Sequence, residues 1–216
     1  MNWLSTMGVV TMMSVSLLSA DDTQRTFRFR KDDLGKLPAG WAAAKTGKGE
    51  GSVWKVVADD TAPSKTGYAL AQTAASPNNV FNICVAADTK YKDLELSVSF
   101  KAVQGEKDQG GGLVWRYKDA DNYYVARMNP LEDNYRVYKV QDGKRSQFAT
   151  REDLKVPAGE WHRLKIQHIA DHIECFLDDK KYLDAKDESF KDAGKVGLWT
   201  KADAQSFFDD LKVEEK

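Results

Sequence analysis

The stretch Gly110–Arg145, GGGLVWRYKDADNYYVARMNPLEDNYRVYKVQDGKR, decides the fold class. Two turns punctuate its apolar and aromatic runs. Asp142-Gly143 is a dipeptide that tolerates positive φ at both positions and favours a two-residue hairpin, and Lys118–Asp121 reads as a four-residue hairpin loop. Working outward, the same pattern recurs. Leu94, Leu96, Val98 and Phe100 alternate with Glu95, Ser97, Ser99 and Lys101, the period of a half-buried strand. Leu164 and Ile166 alternate with Arg163, Lys165 and Gln167, and Ile173, Cys175 and Leu177 flank the polar Glu174. Asp178-Asp179 supplies another two-residue turn, and Gly47–Ser52 and Thr61–Gly67 are loops rich in Gly, Pro, Ser and Thr. No window of a dozen residues carries a helical period. Ten or more short strands close best as two packed antiparallel sheets, so the expected fold is an all-β, two-sheet antiparallel sandwich in one domain.

Composition narrows the function. Apolar residues make up 42% of the 216-residue chain, and the formal net charge is −1. Such a chain has no basic field for nucleic acid or an anionic membrane, and a monomer is expected. Residues 1–20 hold no charged side chain, carry an apolar run from Trp3 to Leu18 and precede Asp21-Asp22. They read as a signal peptide cleaved after Ala20, which leaves 21–216 as the exported, secreted or periplasmic domain; an uncleaved anchor is the alternative. Cys84 and Cys175 each sit inside an apolar strand pattern and read as buried thiols, with a disulfide the alternative that export would permit.

The pairing of strands selects a candidate surface. Like charges directly opposite one another are unfavourable, so Arg127 is expected not to face Arg136. That register aligns Val114, Val125, Val137 and Phe148 as a core row. It puts Trp115, Tyr124, Tyr138 and Gln147 on the opposite face, with Arg136 and Arg145 nearby. Rings beside amide and guanidinium donors suit a sugar, which is apolar on its faces and polar at its rim. A slip of one residue exchanges the faces and brings forward Arg116, Tyr123 and Arg127 instead.

Other motifs carry no chemistry. His168 and His172 lack the Glu of a zinc-protease helix and read as solvent-exposed strand ends flanking a turn. Asp119-Ala120-Asp121-Asn122 lacks the later ligands of a calcium loop and reads as a polar turn. No strand carries three acids at alternate positions, so the paired-carboxylate route to glycoside hydrolysis is not expected.

The Gly110–Arg145 stretch, together with GKLPAGW at 35–41, GEWHRLKI at 159–166 and GKVGLWTKADAQSFFDDLKV at 194–213, resembles the concanavalin A-like lectin/glucanase jelly rolls, and specifically the 3-keto-disaccharide hydrolase domains. The resemblance implies a jelly roll with a carbohydrate or glycoside ligand. It leaves open binding alone, cleavage of 3-keto-disaccharides, or a non-catalytic envelope module. A cleavage reaction would begin by removing a proton next to the ketone, for which Glu95, Glu132 and His162 are the candidate bases or electrostatic supports. Asp209 shares parity with Phe207, Leu211 and Val213 and is expected to point inward; in related jelly rolls an Asp at this place can hold a structural calcium, and a hydrogen bond to loop amides is the alternative.

Overall fold

The computed structural model describes residues 24–216, so the signal-peptide reading of 1–20 lies outside the described residues. The strands are β1 (Gln24–Phe27), β2 (Trp41–Thr46), β3 (Trp54–Ala58), β4 (Tyr68–Gln72), β5 (Phe81–Ala86), β6 (Leu94–Gln104), β7 (Gly111–Asp119), β8 (Asn122–Asn129), β9 (Asn134–Gln141), β10 (Lys144–Arg151), β11 (His162–Ile169), β12 (His172–Leu177), β13 (Lys180–Lys186), β14 (Lys195–Lys201) and β15 (Gln205–Glu215). Among the described residues the one helical element is a 3-10 turn at Lys31–Asp33. Sheet A runs β13-β12-β11-β6-β15-β4-β3, with β1 also paired to β15, and sheet B runs β10-β9-β8-β7-β14-β5-β2. All strand pairs are antiparallel, and the two sheets pack as a jelly-roll sandwich.

The core lies between the sheets where the alternation places it. Leu94, Leu96, Val98 and Phe100 of β6, Leu164 and Ile166 of β11, and Ile173, Cys175 and Leu177 of β12 face Leu113, Ala126, Met128, Val137 and Leu198 of sheet B. Both two-residue turns form, with positive φ at Asp142 (51°), Gly143 (74°), Asp178 (48°) and Asp179 (63°), the conformation that matches the right-handed twist of the flanking strands. Cys84 and Cys175 are free and buried, and burial pushes both thiols well up, which disfavours the reactive thiolate.

Sheet B departs from the expected pairing at two hairpins: the expected four-residue loop Lys118–Asp121 is a two-residue turn, Ala120-Asp121, because a bulge in β7 lets Asp119 pair with Asn122, and the β8–β9 register slips by one. Val114 pairs with Val125, and Tyr138 pairs with Gln147, as the pattern implies. Between β8 and β9, however, Val125 pairs with Tyr138, and Arg127 lies directly opposite Arg136. The repulsion between the two guanidiniums is relieved by Glu132 in the connecting loop: its Oε2 accepts from Arg127 Nη2 at 3.0 Å and from Arg136 Nη1 at 3.2 Å. The one-residue shift exchanges the faces of β7 and β8. Trp115 and Tyr124 therefore point into the inter-sheet core, and Val114 and Val125 onto the outer face. Val137 packs inward as expected, and a bulge between Gln147 and Ala149 turns Phe148 inward as well.

Two more expectations are corrected. His168 is fully buried rather than solvent-exposed: it shares parity with Leu164 and Ile166, and its Nδ1 accepts from Trp115 Nε1 at 2.8 Å. Burial and the nearby Arg116 cation pull its pKa down to about 4, so the ring is neutral. Asp209 is buried, but a bulge between Asp209 and Lys212 breaks the parity that linked it to Leu211 and Val213. It pairs with Ser99 on the outer side of sheet A, under the 59–67 loop, where its Oδ2 accepts from the Ser64 amide at 2.8 Å. A loop amide is thus the partner of Oδ2, while Oδ1 is buried without one. Among the described residues Asp209 belongs to no cluster of carboxylate, His or Cys side chains of the kind that could hold a calcium ion.

Candidate functional site

The outer face of sheet B gathers the residues whose chemistry the core does not use. Its floor is apolar: Val114, Val125, Val140, Ile83 and Val85, bordered by Phe81, Tyr123, Tyr138 and Trp199. Arg145 of β10 reaches across this floor. Its guanidinium lies 4.4 Å from the Tyr138 ring centroid, 4.8 Å from that of Phe81 and 5.8 Å from that of Trp199. Stacking on several rings holds a planar cation flat, and its Nη1 is buried without a hydrogen-bond partner.

Beside the floor stands a charged cluster that begins with the glycine triplet. A Cβ on Gly110 would come within 2.7 Å of Arg127 Cδ, and one on Gly111 within 2.2 Å of the Phe100 ring. The glycines therefore let Arg127 lie close against β7 while Phe100 fills the core beneath. Arg127 is 1% exposed, and its Nη2 donates to Glu132 Oε2 (3.0 Å), Asn134 Oδ1 (3.0 Å) and Tyr138 OH (3.2 Å). Asp108, also 1% exposed, approaches from the 105–110 loop, with its Oδ2 3.8 Å from both Arg127 Nη1 and Lys201 Nζ. That loop is itself fixed by Asp203, whose carboxylate accepts the amides of Glu106, Lys107 and Asp108 at 3.0 to 3.2 Å.

These contacts set the charge states. Burial dominates at Asp108 and raises its carboxyl pKa, against the lowering by Arg127 and the Gly110 amide. At Glu132 burial raises less than Arg127, Asn134 and Arg136 lower, so that carboxyl is held below its ordinary range. Asp108 Oδ2 and Arg127 Nε and Nη1 have no hydrogen-bond partner although all are buried. An acceptor and several donors thus converge beside aromatic rings, and Arg136 and Glu132 form a rim whose side chains are 25% and 35% exposed. Unspent polar groups of both kinds next to a ring suit a polyhydroxylated ligand.

Of the residues expected from the sequence, Arg136, Tyr138 and Gln147 lie on this face, and so do Tyr123 and Arg127 from the alternate set. Trp115 and Tyr124 do not. Trp115 is stacked on Tyr124 in the core, with centroids 5.4 Å apart, and Tyr124 OH donates to Asp187 at 2.6 Å. Arg116 sits at a bulge in β7, and its guanidinium binds loop carbonyls. Glu132 is in the cluster, whereas Glu95 and His162 are on sheet A, paired with Lys165 and Asp178. The sequence reading missed Asp108, Trp199 and Lys201. Parity could have found Trp199, because Val196 and Leu198 alternate with it in β14; nothing local marks Asp108, which a loop delivers.

Similar proteins agree with this architecture. The carbohydrate binding module CBM66 from Bacillus subtilis superimposes with a TM-score of 0.65 over 82% of this chain and 96% of that one, at 22% identity. A Bacillus licheniformis beta-glucanase superimposes with a TM-score of 0.56 over 85% of this chain and 96% of that one, at 11% identity. In sequence, a levanase of Bacillus subtilis (strain 168) is 31% identical over 109 residues, or 48% of this chain; the match spans only 15% of the levanase's own length. The model of the 3-keto-alpha-glucoside-1,2-lyase-like domain matches residues 32–214, nearly all of the described sandwich, and the chain belongs to that family.

Proposed function

We propose that this is an exported carbohydrate-binding domain that takes a sugar on the outer face of sheet B. The sugar lies against the stack of Arg145 on Tyr138 and Phe81, and its hydroxyls meet Arg136, Arg145 and Gln147; Asp108, Arg127 and Trp199, none more than 1% exposed, form the layer beneath. The observation that carries the reading is the set of buried polar atoms without protein partners, Asp108 Oδ2, Arg127 Nε and Nη1, and Arg145 Nη1, next to aromatic rings. A buried donor or acceptor left unpaired costs about 1–3 kcal/mol, and because these atoms are closed to solvent a ligand hydroxyl recovers that cost only where the side chains above them move aside. The likeness to a carbohydrate binding module and to part of a levanase supports this reading and puts levan among the first ligands to test. Export is supported by the uncharged apolar run before Asp21. The test is calorimetric titration of the protein with levan, ordinary disaccharides and 3-keto-disaccharides, repeated with Tyr138→Ala. Saturable binding that Tyr138→Ala loses, in a variant that stays folded, is the expected result. Binding left intact by Tyr138→Ala would refute the placement.

A second reading, cleavage of 3-keto-glycosides, is favoured by Asp108 specifically. Its Oδ2 is unpartnered and its carboxyl pKa is raised, both properties of a better base than Glu132, whose oxygen already serves two arginines. Once the side chains that cover it move aside, Asp108 would take the proton from the carbon next to the ketone, the bond from the neighbouring carbon to the glycosidic oxygen would break, and that oxygen would leave with a proton from water. Lys201 and Arg127 flank Asp108 and would stabilise the enolate. Turnover in the same panel, abolished by Asp108→Asn, would select the lyase.

A further inference from the structure

At the end of the sandwich where β7 bulges, a cleft of about 490 Å³ opens between β7 and the 187–194 loop. Its walls are tied together by hydrogen bonds. Arg116, with a side chain 1% exposed and φ at 45°, spends its guanidinium on three separate loops: it donates to Lys92 O at 3.0 Å, Phe190 O at 2.7 Å and Ala170 O at 3.1 Å, and pairs with Asp93 at 3.3 Å. Gly194 closes the base by exchanging two backbone hydrogen bonds of 2.9 Å with Tyr91, so near to Arg116 that a Cβ would lie 2.4 Å from its carbonyl carbon.

The lining is cationic in a chain whose net charge is −1. Lys90, Arg116, Lys118, Lys191 and Lys195 stand against one acid, Asp192. Arg116 is consumed by Asp93 and the loop carbonyls, and Lys191 by Glu188 at 3.2 Å. Lys90, Lys118 and Lys195 form no ion pair among the described residues, although sixteen of the eighteen ion pairs there lie outside this lining, so three unpaired lysines line one concavity. Tyr117 lines the same cleft and packs on Tyr123 of the outer-face floor, with centroids 6.0 Å apart. The cleft therefore adjoins the proposed sugar site.

We infer that this cleft is a second subsite, which binds the carboxylate or sulfate groups of an anionic polysaccharide. A concavity of this volume takes one or two sugar residues, whereas a nucleic-acid backbone engages an extended basic stripe. The anion binding stands on the cleft alone. Continuity of one chain across Tyr117 to the outer face rests on the sugar-site reading above.

The experiment titrates the full chain with polygalacturonate oligomers and with dextran sulfate, at low and high salt. Neutral dextran and a single-stranded DNA oligonucleotide are run in parallel. The Lys90→Ala/Lys118→Ala/Lys195→Ala variant is compared with Lys31→Ala/Lys36→Ala/Lys155→Ala, which removes the same charge elsewhere. The expected result is binding of at least one anionic glycan that falls tenfold or more in the cleft variant, loses most of its salt dependence there, and is unchanged in the control. Equal losses in both variants, no preference over neutral dextran, or DNA binding as tight as glycan binding would each overturn the subsite. Anionic-glycan binding that survives Tyr138→Ala supports the cleft as an independent site even if the outer-face reading fails.

Discussion

Replacing Glu132 by Gln isolates the contact that fixes the β8–β9 register. The substitution keeps shape and an acceptor oxygen but removes the charge that Arg127 and Arg136 share. Their guanidinium nitrogens lie 3.0 Å and 3.2 Å from the same oxygen, so they are within about 6 Å of each other. At an effective dielectric of about 20, two like charges at that distance repel by about 3 kcal/mol. Glu132 has a side chain 35% exposed, and solvent screening reduces its share. Asp108 also remains near Arg127, at 3.8 Å. The expected loss for Glu132→Gln is therefore about 1–3 kcal/mol. Urea denaturation at pH 7 measures it. Two dependences separate charge from packing. High salt, where the screening length falls to about 3 Å, should return part of the loss to the variant. The carboxyl pKa of Glu132 is depressed in the folded state, so its contribution is present above the unfolded value and lost as pH falls through the folded one. The gap between wild type and variant should accordingly close on acidification. A variant as stable as wild type, or a loss that neither salt nor acid reduces, would show that the Arg–Arg pairing does not depend on Glu132.

Three further outcomes are expected. Trp115→Ala should cost about 3–5 kcal/mol in chemical denaturation, because the ring is fully buried against Tyr124, whereas Val125→Ala on the outer-face floor should cost less; the reverse order would contradict the register. His168 has its pKa depressed to about 4, so the unfolded chain binds the extra proton first, and stability present above pH 6.5 should fall by about 3 kcal/mol as pH drops toward 4. His168→Gln, which keeps an acceptor for Trp115, should flatten that limb of the pH profile, and an unchanged profile would mean that another group titrates. Asp209→Ala should lose about 1–3 kcal/mol through the unpaired Ser64 amide, while EDTA leaves the wild-type melting temperature in place; a chelator effect absent from the variant would restore calcium as the partner.

By itself the sequence determined the strands, the two-residue turns, the antiparallel sandwich and most of the core, because alternation and turn chemistry are local properties. Leu94 to Phe100 could pack only one way, and Asp142-Gly143 could make little other than a tight hairpin. It also showed that rings and arginines in Gly110–Arg145 would share a surface. Only the tertiary structure decided which ones. Three bulges, at Arg116, Phe148 and Asp210, shift parity within β7, β10 and β15, and no residue pattern announces them. The decisive error in the pairing rule was to count Arg127 and Arg136 as isolated charges. Glu132 in the hairpin loop and Asp108 from a distant loop neutralise them, and that compensation exists only once the chain is folded. One residue of register then sends Trp115 into the core and leaves Arg127, with donors to spare, on the face where a sugar would lie.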